Sequence, residues 1–168
     1  STSASYRPHR MIVWGIDPGV SGAICCFDYT EGAVDIFDMP IVEVRGKKEV
    51  SPVLVRNILR DLPGPVFVER VGARPGQGVS SMFNFGKSYG MVLGVVAALE
   101  YSLHYVTPQR WQRDLHVESG KDGSRTRAMQ LLPAYAQEFR RRRDDGRADA
   151  ALIAYWGVSH GLSVESDD

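Results

Sequence analysis

The sequence predicts one α/β domain that contains a mixed five-stranded sheet flanked by helices. Short apolar segments bounded by Gly and Pro alternate with longer stretches of helical periodicity. Their order along the chain is β-β-β-α-β-α-β-α-α-α, and neither an internal repeat nor a long linker divides the 168 residues. A chain of this length can bury one sizeable core, so we expect a single domain over residues 11–160.

The first three strands form a meander in this prediction. Residues 11–17 are apolar up to Asp17, and a turn at Pro18, Gly19 and Gly22 leads into a second strand over residues 23–28. A further turn leads into a third strand over residues 33–39. Short connections of this kind favour antiparallel neighbours.

The rest of the chain alternates helices with two more strands. Residues 44–50, which carry Arg45, Lys47 and Lys48, are predicted to be a polar loop. Ser51 and Pro52 are typical of a helix start, as N-cap and first helical residue. The remaining expected elements are helices over residues 52–62, 80–100, 108–113, 124–139 and 147–159, strands over residues 66–69 and 104–106, and a Gly-rich loop over residues 70–79.

Composition leaves nucleic-acid binding undecided. The formal net charge is zero, with 43% hydrophobic and 24% charged residues. The charges are nevertheless segregated, because residues 140–143 are four consecutive arginines and residues 161–168 form an acidic tail. A basic face can therefore coexist with an acidic one. A solvated helix face is the alternative interpretation of the arginine block.

The termini and cysteines bear on location. Residues 1–10 are rich in Ser and Arg, which favours a disordered leader over the remnant of an organelle transit peptide. No apolar run approaches the roughly 20 residues that cross a bilayer, so no membrane association is expected. Cys25 and Cys26 are strand neighbours that point to opposite faces, so they do not readily pair, and two buried thiols indicate a reducing compartment.

Three carboxylates occupy positions where an apolar side chain is expected. Asp17 and Glu69 each end an apolar strand, and if the two strands are parallel neighbours both project from one edge of the sheet. Asp149 interrupts an apolar helix, and Asp145 lies one turn earlier on the same face. Such a group suits a hard cation such as Mg²⁺. Each acid alone could instead face solvent or cap a helix, and we assign that capping role to Asp144.

Three motifs resemble those of the RuvC-type family of Holliday junction resolvases. Residues 15–19 (Gly-Ile-Asp-Pro-Gly) with Gly22 resemble the first, residues 67–69 the second and residues 147–154 the last. The glycine turn alone is also found in actin-like kinases and chaperones, but the ordered trio is specific. The stretch over residues 73–86 is similar to phage and prophage members, and the Asp145–Asp149 spacing is similar to chloroplast resolvases.

The resemblance covers residues 12–156 and implies the ribonuclease H-like fold and a Mg²⁺-dependent endonuclease that resolves four-way DNA junctions. It implies that Asp17, Glu69, Asp145 and Asp149 hold two Mg²⁺ ions, for which Mn²⁺ can substitute. Bacterial members space the last two aspartates by three residues, where this chain has Gly146, so Asp145 would serve. The family lysine falls near Gln112, so a nearby cation takes its place: Lys121 is the expected one, with Arg125 and Arg127 as alternatives.

The same resemblance implies a set of DNA contacts and a homodimer. The dimer follows because a junction with two-fold symmetry needs two matched cuts. Small residues at positions 86, 90, 94 and 98 form a stripe that could pack on a second copy or, equally, on the protein's own sheet. Phe83 and Phe85 could stack on an opened base, although at most one can face DNA. The expected DNA contacts are Arg70, Arg74, Gln77, Ser80, Phe83, Lys87, Lys121 and Arg125.

Three alternatives remain open at this stage. Another nuclease of the same fold could act on ordinary duplexes or RNA–DNA hybrids, and a non-catalytic module could bind junctions without cutting them. An actin-like ATP-binding protein is disfavoured, because the chain is too short for two lobes. The resemblance and the thiols together favour the cytoplasm of a bacterial or phage-infected cell, with an organelle as the alternative.

Overall fold

The computed structural model describes residues 10–73 and 75–164, so the predictions for Arg74, for residues 1–9 of the leader and for residues 165–168 of the tail lie outside it. These described residues contain seven strands. Their bounds are β1 Ile12–Asp17, β2 Ala23–Asp28, β3 Ala33–Asp38, β4 Ile41–Val44, β5 Lys47–Val50, β6 Val66–Glu69 and β7 Leu103–Val106.

Five of these strands form the main sheet, in the order β3-β2-β1-β6-β7. The first three are antiparallel, with Trp14 opposite Cys26 and Cys26 opposite Asp35. Strand β6 joins the other side of β1 in parallel, with Ile16 opposite Val68, and β7 continues in parallel. The predicted mixed five-stranded sheet is therefore confirmed.

The predicted polar loop over residues 44–50 is wrong. This segment forms β5 and the end of β4, a separate two-stranded hairpin in which Ile41 faces Val50 and Val44 faces Lys47. Arg45 and Gly46 both have positive φ, 52° and 76°. A two-residue turn of this kind matches the right-handed twist of paired strands, so it closes a hairpin directly.

Six α-helices accompany the strands in the described residues. Their bounds are α1 Pro52–Leu59, α2 Val79–Ala98, α3 Pro108–Asp114, α4 Gly123–Leu131, α5 Asp145–Trp156 and α6 Leu162–Val164, with a π-helical segment over Gly157–Gly161 between the last two. The predicted cap of α1 is confirmed, because Ser51 Oγ accepts from the Leu54 backbone N–H at 3.3 Å. The expected helix over residues 124–139 instead stops at Leu131, and a 3₁₀ segment follows over Pro133–Phe139. Pro133 cannot donate the next helical hydrogen bond, which explains the break.

The helices cover the two faces of the sheet and produce two apolar cores. One core contains Ile12, Trp14 and Ile16 from β1 and is covered by α1 and α2. The other contains Val13 and Phe67 and is covered by α5 with α3 and α4. Since side chains alternate along β1, Asp17 belongs to the face that carries α5.

Helix α5 lies directly against β1. A side chain at Gly15 would overlap the backbone of Ala150 and Ala154. At the start of the same helix, a side chain at Gly146 would overlap the backbone of Ser21 in the β1–β2 turn. These two glycines fix the distance between α5 and the carboxyl end of β1, and thereby position whatever the first turns of α5 carry.

Candidate active site

Asp17 and Glu69 lie side by side at the carboxyl edge of the sheet. Each is the last residue of its strand, one position beyond the parallel pair Ile16–Val68. Adjacent strands are about 4.8 Å apart, so the two side chains emerge as neighbours. Both point to the face that α5 covers, as the alternation of the strands predicted.

Asp149 completes a group of three carboxylates. It lies on the second turn of α5, and the close packing at Gly15 and Gly146 brings that turn onto the sheet edge. Burial raises the pKa of Asp17 well above its ordinary value, and the charges of Asp149 and Glu69 raise it further. Burial also raises the pKa of Asp149 to about 7, with added repulsion from Glu69 and Asp145. The three acids therefore form one repulsive cluster.

Two hydrogen-bond donors that the sequence did not single out hold this cluster. The fully buried Trp111 donates from Nε1 to Glu69 Oε1 at 3.3 Å, and the Ser124 side chain hydrogen-bonds Asp149 and lowers its pKa. Trp111 is the large apolar residue in an otherwise polar helix, Pro-Gln-Arg-Trp-Gln-Arg-Asp, which could have indicated a side chain turned toward the sheet. These donors orient two of the three carboxylates without neutralising them.

Asp145 and Asp144 are placed differently. Asp145 is exposed and pairs with Arg125, whose Nε lies 3.3 Å from Asp145 Oδ1. Its charge still raises the pKa of Asp149. Asp144 is 1% exposed and caps the short turn before α5, with Oδ2 accepting from the Arg141 backbone N–H at 2.8 Å. Burial raises its pKa, but the Arg141 hydrogen bonds outweigh that and hold the pKa below the ordinary value.

Arg125, a predicted DNA contact, makes intramolecular contacts in the structure. Its side chain is only 11% exposed. Nη1 donates to the Arg140 carbonyl at 2.8 Å, and Nη2 donates to the Asp122 carboxylate. The guanidinium therefore joins α4 to the segment before α5.

The loop after Glu69 borders an open cavity of about 250 Å³ beside the acids, lined by Asp17, Pro18, Glu69, Val71, Gly72, Gln77 and Phe85. Of the two aromatic candidates, Phe85 lines this cavity, whereas Phe83 is 70% exposed and faces solvent. Arg70 is exposed and stacks on the Tyr105 ring at 4.7 Å. Gln77 is thus the predicted DNA contact that borders both acids.

The other predicted contacts are Lys121, Ser80 and Lys87. Lys121, Asp122, Arg142 and Asp145 line an open cleft of about 330 Å³. Ser80 is exposed at the start of α2. Lys87, also exposed, pairs with Glu49 on β5 at 2.7 Å. Of these three residues, Lys121 is the one that shares a cleft with a candidate acid, Asp145.

The oxygen ligands that the three acids offer are of the kind that a hard cation binds. Asp17, Glu69 and Asp149 offer only carboxylate oxygens, and no Lys or Arg in the described residues forms an ion pair with Asp17 or Asp149. As the side chains stand, no group of three Asp, Glu, His or Cys residues in the described ranges converges closely enough to hold a metal. The open cavity beside Asp17 and Glu69 nevertheless leaves room for a hydrated ion, as Mg²⁺ sites require.

Comparison with known proteins agrees with the resemblance predicted from the sequence. No protein-family model matches the chain. Over 94 residues, 55% of this chain, it is 32% identical to the chloroplastic Holliday junction resolvase MOC1 of Chlamydomonas reinhardtii. The chain spans only 11% of that relative's length.

Solved structures show the same fold. Thermus thermophilus RuvC in complex with Holliday junction substrate matches with a TM-score of 0.59 at 17% identity, over 94% of this chain and 96% of RuvC. The yeast mitochondrial Holliday junction resolvase Ydc2 matches with a TM-score of 0.50 at 16% identity, over 89% and 78%. The predicted ribonuclease H-like fold of RuvC is therefore confirmed. None of the helices in residues 10–73 and 75–164 has the length and apolarity to span a membrane.

Proposed function

We propose that this protein is a structure-specific endonuclease that resolves four-way DNA junctions by metal-dependent hydrolysis of phosphodiester bonds. The observation that carries the proposal is the half-buried cluster of Asp17, Glu69 and Asp149 at one edge of a RuvC-like sheet, where burial and the charges of neighbouring acids raise the pKa of Asp17 and of Asp149. Burying carboxylates together without a counter-ion costs stability, which a bound cation would recover. The named relatives act on or bind Holliday junctions, which supports the same substrate here.

Asp17, Glu69 and Asp149 would hold the metal, which we take to be two Mg²⁺ ions with Mn²⁺ as a substitute, and which would supply Lewis-acid stabilisation and an activated water. Trp111 keeps Glu69 oriented through its Nε1 hydrogen bond. Ser124 favours the ionised form of Asp149. Asp145 can become a fourth ligand once its ion pair with Arg125 opens.

The basic side chains around the cluster would bind the DNA strands. Lys121 and Arg142 line one cleft with Asp145 and would offset the charge on the reacting phosphate. On the other side, Gln77 borders the acid cavity and Arg70 follows Glu69 directly. The scissile strand would then lie between Lys121 and Arg142 on one side and Gln77 and Arg70 on the other. These side chains would bind its phosphates beside the acids.

We further propose that the protein acts as a homodimer through the small-residue stripe of α2. Gly86, Gly90 and Gly94 are exposed, and a side chain added at any of them would meet nothing within 4 Å. Helix α2 instead packs on the sheet through Val92 and Val96. The stripe is therefore free for a close helix contact with a second copy. A cytoplasmic location remains a prediction, and the chloroplast location belongs to the relative by its name.

A panel of four substrates tests the proposal. With Mg²⁺, a four-way junction should receive paired, symmetric nicks, whereas a linear duplex of the same sequence, an RNA–DNA hybrid and ATP should remain intact. Equal cutting of the duplex or hybrid would instead assign a general nuclease of this fold. Tight junction binding without any cutting would assign a non-catalytic module, and ATP hydrolysis an actin-like protein.

A further inference from the structure

The hairpin of β4 and β5 ends in a tip of three cations that the site described above does not use. Arg45, Lys47 and Lys48 are all exposed, and none forms an ion pair within the described residues. The tip turn is tightly defined, because Arg45 and Gly46 both have positive φ. The cations therefore project from a two-residue turn of fixed shape, with Glu43 opposite Lys48 as the nearest acid in the ladder.

The hairpin leaves the main sheet at the same edge as the acids. Asp17 pairs with Ala23, and Ala23 pairs with Asp38 at the end of β3, so Asp38 lies two strands, about 10 Å, from Asp17. Strand β4 begins at Ile41, three residues after Asp38, and Arg45 lies four residues further along the chain. With about 3.3 Å per residue, Arg45 lies within about 33 Å of Asp17, which corresponds to about ten base pairs of duplex.

The base of the hairpin is anchored to the body of the protein. Met39 and Val50, which flank it, are buried in the core under α1 and α2. Glu49 pairs with Lys87 of α2 at 2.7 Å, which fixes β5 against that helix and neutralises the second acid of the hairpin. Because its base is anchored to the core and to α2, the hairpin can present its cationic tip to an anionic partner in a fixed orientation.

We propose that Arg45, Lys47 and Lys48 form a second DNA contact that binds the phosphate backbone of a duplex arm within about one helical turn of the scissile bond. The inference rests on the proposed function, because it takes the acid edge as the place where DNA is cut. We expect this contact to be independent of base sequence, because the three cations bind phosphates. Phosphate contacts fix the register and orientation of the protein on the duplex.

A second copy of the chain is the competing occupant, since Ile41, Val42 and Val44 of β4 are 37–43% exposed. Charge favours DNA. In a symmetric contact between two tips, three cations would face three cations, which costs energy, whereas a phosphate backbone attracts them.

The test is the salt dependence of DNA binding, measured on the full chain in EDTA so that no cutting occurs. The tip variant carries Arg45→Gln, Lys47→Gln and Lys48→Gln. Its matched control carries Arg10→Gln, Arg56→Gln and Arg60→Gln, which remove the same charge from exposed positions around the opposite edge and α1. The probes are a four-way junction and a linear duplex of the same sequence.

The tip variant should lose at least about tenfold in affinity, and its slope of log affinity against log salt should fall by about 2–3, since each phosphate contact contributes about 0.9. The control should keep the wild-type slope. An unchanged tip slope, an equal loss in the control, or a loss of dimer mass with an unchanged slope would each overturn the proposal. If thermal unfolding shows that the triple variant is misfolded, Lys47→Gln and Lys48→Gln are measured singly and should each reduce the slope by about 0.9.

These outcomes distinguish a failure of the proposed hairpin contact from a failure of the proposed nuclease function. If the tip variant shows the expected loss of slope but the wild type cuts no junction in the substrate panel, the proposed function is refuted and the hairpin contact is not. A protein that cuts junctions with an unchanged tip slope refutes the hairpin contact only.

Discussion

Asp144 and Asp145 are adjacent in the chain but occupy different surroundings. Asp144 is buried and satisfied by Arg141, whereas Asp145 is exposed and within electrostatic reach of Asp149. We expect Asp144→Asn to lose about 1–3 kcal/mol of unfolding free energy, because it weakens a cap and a charged hydrogen bond, and to cut junctions almost normally. Asp145→Asn should fold normally and cut orders of magnitude more slowly.

Urea unfolding and single-turnover cleavage of both variants check this prediction. Reversed phenotypes, or full activity in both variants, would remove Asp145 from the site and leave Asp17, Glu69 and Asp149 to act alone.

The raised pKa of Asp149 predicts how stability depends on pH. Its pKa is about 7 in the folded chain against an ordinary 3.8, so the folded state binds the proton more tightly. The resulting stabilisation is fully present below pH about 4 and is lost as pH rises through 7. In EDTA, wild-type stability relative to Asp149→Asn should therefore fall between pH 5 and 7, by about 1.4 kcal/mol per pH unit at most.

Denaturant unfolding at several pH values measures that difference, and Mg²⁺ should recover the lost stability of the wild type at pH 7 and above. A difference that grows with pH in EDTA would contradict the raised pKa of Asp149 and the burial and neighbouring charges to which it is attributed.

At the scale of elements, the contact between α5 and β1 positions the site. Gly15→Ala would force a methyl group into the backbone of α5 at Ala150 and Ala154. We expect a loss of about 2 kcal/mol or more in unfolding free energy, together with slower cutting, because α5 carries Asp149. Gly72→Ala is the control, since a methyl group there meets nothing within 4 Å. Equal stability of the two variants in urea would contradict this packing.

Part of the fold and of the site could be predicted from the sequence, and part could not. The faces of Asp17 and Glu69 followed from strand alternation, which is a local rule, whereas their proximity depended on the assumed parallel pairing of β1 with β6. The hairpin was missed because β4 is exposed throughout, so it lacks the alternation of a half-buried strand. The burial of Arg125 could not be predicted either, since the carbonyl of Arg140 that it binds is supplied by a distant segment.

At the scale of the whole molecule, the glycine stripe of α2 predicts opposite effects on the chain and on the dimer. Gly90→Ala should stabilise an isolated chain by about 0.5–1 kcal/mol, because it favours helix and meets no neighbour. The same methyl group should weaken the dimer if two α2 helices pack at the stripe. Sedimentation equilibrium and urea unfolding measure the two effects. A wild-type chain that stays monomeric at micromolar concentration, with or without junction DNA, would contradict the dimer.

The central claim is that the acid cluster cuts a junction that the rest of the protein binds. Cleavage and binding of one four-way junction by Asp17→Asn and Glu69→Gln test it most directly. Both variants should lose cleavage and keep or tighten binding, since less negative charge then faces the phosphates. Retention of more than a few per cent of the wild-type cleavage rate in either variant would contradict the assignment of these carboxylates as the catalytic site.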